Sequence, residues 1–195
     1  DLSGLSSVDV FTCSNNLLTS LDISDMINVY NLHCGNNQIV TLDGLGSNEL
    51  EMVFAENNRI TSLTISGPQL WQLHLENNQL NYLKIGNCPS LGTWNLFFQN
   101  NPLHLLDVSE YTNMSLIDVP NSGLTGNLKV IGSSALTAIN LTGNQLTSVD
   151  ISACPSVSEL RVQNCTPLST LFIKNSVNNA LWVSGQLATL PNLQY

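Results

Sequence analysis

Apolar residues recur at four fixed places in a unit of about 21 residues, and each unit closes its first half on an asparagine. Near-identical words mark the repeat: Phe11 to Leu18 reads FTCSNNLL, Leu32 to Ile39 LHCGNNQI, Val53 to Ile60 VFAENNRI and Leu73 to Leu80 LHLENNQL. The aligned positions are Asn16, Asn37, Asn58, Asn78, Asn101, Ser122, Asn144, Cys165 and Gln186, with steps of 21, 21, 20, 23, 21, 22, 21 and 21 residues, which makes nine turns. Alternation at Val53 and Ala55, or Leu73 and Leu75, predicts a short strand with one buried side. A unit this short cannot bury its apolar side alone, so the turns must stack and pair their strands into a parallel sheet. The asparagine amide both donates and accepts hydrogen bonds. A column of them is expected to satisfy backbone groups that the bend after each strand leaves unpaired.

The second half of most turns is regular too, as in Leu21-Asp22-Ile23-Ser24, Leu63-Thr64-Ile65-Ser66, Leu106-Asp107-Val108-Ser109 and Val149-Asp150-Ile151-Ser152. The stretches that follow, such as Ser24 to Asn28 or Gly86 to Ser90, are too short for a regular helix. Extended or 3₁₀ segments are expected there. Gly92 and Thr93, in the turn lengthened to 23, and Gly126 and Asn127, between Leu124 and Leu128, predict local bulges rather than domain boundaries.

The spacing L-x-x-L-x-L-x-x-N-x-L resembles the leucine-rich repeat pattern along the whole chain. The ending N-x-L-T-x-L-D-I-S is similar to that of bacterial surface-antigen (BspA-like) repeats and, more distantly, of internalin-type repeats. This resemblance implies a leucine-rich repeat solenoid forming one domain over residues 1–195, with a curved parallel β-sheet on the concave side and the extended or 3₁₀ segments on the convex side. It also implies a cell-surface or extracellular recognition role, as in an adhesin.

Strand residues that alternate with the buried ones face outward. The central outward column reads Thr12, His33, Phe54, His74, Phe97, Asp118, Asn140, Arg161 and Trp182, and beside it run Asp9, Tyr30, Glu51, Trp71, Trp94, Ser115, Thr137, Ser158 and Asn179. Turns two to five are therefore expected to expose Tyr30, His33, Met52, Phe54, Trp71, His74, Trp94 and Phe97 together, rimmed by Glu51, Glu56 and Glu76. Such a patch is costly on a solvated sheet unless it meets a partner, and aromatic side chains supply interface or sugar-stacking area at low entropic cost. These eight residues are the candidate ligand-binding set, for a protein or a carbohydrate. The competing readings are cross-strand packing that stiffens the sheet and permanent cover by another subunit or domain of a larger particle.

Catalytic chemistry is not indicated. His33 and His74 lie two layers apart, about 10 Å, with Phe54 between them, so they cannot share a metal ion. Glu56 and Glu76 stack in adjacent turns with Asn57 and Asn77 beside them, oxygen ligands that could hold Ca²⁺, but without a full ligand loop they are read as solvated like charges. No serine or cysteine is placed with a histidine and an acid to form a triad, and no cofactor is expected. Three glycosylation sequons begin at Asn113, Asn140 and Asn164, within reach of chance in so asparagine-rich a chain.

Five cysteines follow the repeat rather than a disulfide framework. Cys13 and Cys34 share one inward position, with parallel side chains too far apart for an easy bridge, and Cys88 and Cys154 are three layers apart. All five are expected to be buried free thiols. With five Lys and Arg against fourteen Asp and Glu, the net charge of −9 argues against nucleic acid as a partner. No uninterrupted apolar run long enough to span a membrane and no signal-peptide pattern is present. Asp1-Leu2-Ser3 matches Asp22-Ile23-Ser24 at an offset of 21, so the chain is expected to be a fragment of a longer one.

Overall fold

The computed structural model describes residue 2, residues 4–174 and 181–184, and the backbone of Asn192–Gln194. Among the described residues each turn contributes two strands, and like strands stack in parallel into two rows of nine, bounding about eight full turns of a parallel β-solenoid. The first row pairs Val10–Thr12, Asn31–His33, Met52–Phe54, Gln72–His74 and Leu96–Phe97 in one sheet. A second sheet continues the row with Leu116–Asp118, Ala138–Asn140, Glu159–Arg161 and Trp182–Ser184. The break between them follows the lengthened turn, where a 3₁₀ helix at Thr93–Asn95 leaves only two residues of strand behind it.

The second half of the turn is more ordered than the spacing suggested. Ser20–Asp22 pairs with Thr41–Asp43, and seven strands from Ser62–Ile65 to Asn192–Gln194 form a continuous sheet. The 3₁₀ helix lies on the first row instead, at Thr93–Asn95. The irregularity at Gly126 and Asn127 is a shift in strand register, as expected. One step earlier Leu106 pairs with Val130 rather than Leu128. That slide is harmless because a displacement of two residues keeps the same side chains facing inward, and Leu106, Leu128 and Val130 are all buried.

The inward residues form one core running from Leu21 to Leu171. Beside it the asparagine column stitches turn to turn. Asn58 accepts from the Ile39 N–H at 3.0 Å and donates to the Cys34 and Ala55 carbonyls at 3.0 and 3.2 Å. Asn78, Asn101 and Asn144 repeat the arrangement, and Asn101 and Asn144 are essentially sealed from solvent. Cys165 supplies part of the function, with its thiol donating to the Leu141 carbonyl at 3.2 Å. Gln186 lies outside the described residues.

The residue before each of these positions has its own role. Asn15, Asn36, Asn57, Asn77, Asn100, Asn121 and Asn164 all adopt positive φ, between 52° and 61°, with Gly143 taking the matching place at 75°. Asparagine and glycine tolerate this left-handed conformation best, which explains why the repeat word carries a doublet. The Asp-x-Ser ending also has a local cause: the Oδ1 atoms of Asp22, Asp107 and Asp150 accept from the backbone N–H and hydroxyl of the serine two residues on.

None of the five cysteines is in a disulfide. Four are buried, and burial pushes the thiols of Cys88 and Cys154 up to about 11 and about 12. The expectation that all five are buried fails at Cys13, which is half-buried and lines a pocket with Leu2, Phe11 and Leu18. Alkylation of the native protein at pH 8 is therefore expected to modify Cys13 first, the other four reacting only after unfolding. Early labelling of Cys88, read by mass spectrometry, would contradict this packing.

Candidate functional site

The short first-row strands position the candidate residues. Leu32, Val53, Leu73 and Leu96 point into the core, so His33, Phe54, His74 and Phe97, one residue on, are carried to the outer face in register. Their rings stack continuously. Centroid separations are 4.6 Å for His33 and Phe54, 4.8 Å for Phe54 and His74 and 4.4 Å for His74 and Phe97, with interplanar angles of 5°, 16° and 18°. Each inner ring thus has both faces covered, and all four are half-buried. The cross-strand stiffening weighed from the sequence describes these four residues well.

His74 is fixed further by its neighbours. Its Nδ1 lies 2.9 Å from Glu76 Oε1 and its Nε2 lies 2.8 Å from Gln72 Nε2. With Nδ1–H donating to the carboxylate, Nε2 accepts from the Gln72 amide. Gln72 was missed in the sequence, although its outward position two residues before His74 was a usable signal. Glu56 lies over Gly35, where any Cβ would overlap its carboxylate. Glu56 Oε2, Glu76 Oε2 and Gln99 Oε1, in three successive turns, are buried without a hydrogen-bond partner, so Glu56 and Glu76 are not the solvated charges expected from the sequence.

Tyr30, Trp71 and Trp94 are different. They stand outside the ring stack and are 37%, 39% and 78% exposed. Trp94 is held out by the 3₁₀ helix at Thr93–Asn95 rather than by a strand. Met52 is half-buried, on the other outward position of its strand. Trp182 is 56% exposed, yet it does not occupy the central column: it pairs with Glu159, and Ser184 pairs with Arg161. The spacing of the last turn hid this offset of two residues. Asn179 lies outside the described residues.

The first row therefore carries a run of stacked rings on its strands and exposed aromatic residues just before or between them in the chain. Among the described residues, no group of three or more His, Cys, Asp and Glu is disposed to hold a metal ion. No described helix is long and apolar enough to cross a membrane. Comparison with protein-family models finds no match, and comparison with curated proteins finds none either.

Proposed function

We propose that the chain is a leucine-rich repeat domain that works without catalysis, docking a partner onto the first-row face of turns two to five. The carrying observation is the exposure of Trp94, Trp71 and Tyr30 beside a preorganised ring stack. Aromatic side chains held rigidly before binding lose little entropy on complex formation. A protein partner fits better than a carbohydrate. The stack uses the ring faces of Phe54 and His74 on itself, so sugar stacking would be confined to the exposed rings of Tyr30, Trp71 and Trp94.

In this reading the first row is the concave side, and the domain belongs to an extracellular or cell-surface protein such as an adhesin. Support for that setting comes from the repeat word, its asparagine ladder and the resemblance they carry. The alternative, an assembly subunit whose aromatic face is permanently covered, uses the same exposed residues and differs in solution behaviour. Size-exclusion chromatography with light scattering is expected to return a monomer of 21.2 kDa. A stable oligomer that dissociates on Trp94→Ala would favour assembly instead.

A further inference from the structure

One column of the first-row face lies outside the ring stack and alternates in chemistry. Asp9, Tyr30, Glu51 and Trp71 follow one another in four successive turns, just before the strands. Backbone hydrogen bonds fix their order: the Tyr30 N–H donates to the Asp9 carbonyl at 2.9 Å, the Glu51 N–H to the Tyr30 carbonyl at 2.8 Å and the Trp71 N–H to the Glu51 carbonyl at 2.9 Å. Stacked strands are about 4.8 Å apart, so Glu51 is bracketed by an aromatic residue on each side. Asp9 is exposed and Glu51 half-buried.

We propose that this column seats Lys or Arg side chains of a basic segment in a protein partner. The proposal rests on the reading of this face as a docking surface. A cation placed here meets carboxylate charge and aromatic faces in alternation, the two environments that attract it most strongly on a protein surface. The chain does not neutralise the column itself. The ion pairs found among the described residues are His74 with Glu76, Lys84 with Glu110, Lys129 with Asp150 and Arg161 with Glu159, so Asp9 and Glu51 take part in none. No Lys or Arg lies on the first-row strands of turns two to five, and the net charge is −9. An uncharged partner covering the column would have to desolvate Glu51 without compensation, and an acidic one would be repelled.

The probes are fluorescent peptides of equal length in which Ser alternates with Arg, Gln or Glu, titrated by anisotropy at 0.15 M salt, roughly the physiological ionic strength. Binding of the Arg peptide alone is expected. Glu51→Gln and Trp71→Ala should each weaken it about fivefold to tenfold, while Asp25→Asn, which removes the same charge from an exposed site away from the column, should change it less than about twofold. Melting curves of each variant separate lost affinity from lost fold. Equal losses for Glu51→Gln and Asp25→Asn would show a net-charge effect and overturn the proposal, as would equal binding of the Gln peptide or no binding of the Arg peptide. A probe that needs Trp94 but ignores Glu51→Gln would overturn the basic-partner assignment and leave the docking face standing. Binding indifferent to both Trp71→Ala and Trp94→Ala would remove the docking face as well.

Discussion

Asn101→Ala is expected to destabilise the protein by about 3 kcal/mol, because it abandons several buried backbone groups at once. The Asn101 amide donates to the Leu75 and Phe98 carbonyls, both at 2.9 Å, and accepts from the Leu80 N–H at 2.9 Å. Alanine leaves these groups without side-chain partners in a place that water does not reach. The neighbouring Asn100→Ala should cost only about 1 kcal/mol, the penalty for an ordinary side chain at positive φ. Asn100→Gly should restore most of that loss, since glycine adopts φ near 57° readily. Chemical denaturation of the three variants checks the ranking. Equal losses for both alanine variants would mean that the doublet has one role rather than two.

Trp94→Ala is expected to weaken partner binding by about 2 kcal/mol, the effect of a central aromatic anchor, and to leave the melting temperature unchanged. The second half follows from geometry, since a side chain 78% exposed at the surface contributes little packing. Phe54→Ala should behave oppositely. It breaks two stacked contacts, each worth about 1 kcal/mol, so stability falls whether or not affinity does. Trp182→Ala, on a remote strand, should alter neither property much. Measuring affinity and melting together thus divides the candidate set into docking residues and stiffening residues.

Much of this organisation is legible in the chain because the repeat forces like residues into like places. The inward pair Val53 and Ala55, the ladder asparagines and the outward columns up to Arg161 all follow from one register. What stayed hidden depends on conformations that spacing does not encode. The positive φ of Asn57 and Asn77 emerges from the shape of the bend, and their side chains are linked as well, with Asn77 Nδ2 donating to Asn57 Oδ1 at 2.9 Å. The ring stack needs particular rotamers at His33, Phe54, His74 and Phe97, whereas the sequence fixes only their shared column. Trp182 was misplaced for a different reason: without a ladder asparagine in the last turn, counting had no anchor and slipped by two residues.

The central claim, a docking face built on Tyr30, Trp71 and Trp94, is tested most directly by probing one array of immobilised proteins and glycans with the native chain and with a Trp71→Ala, Trp94→Ala double variant of equal melting temperature. The expected result is a set of protein ligands bound by the native chain and lost by the variant. Ligands bound equally by both chains would contradict the account and place recognition elsewhere on the solenoid.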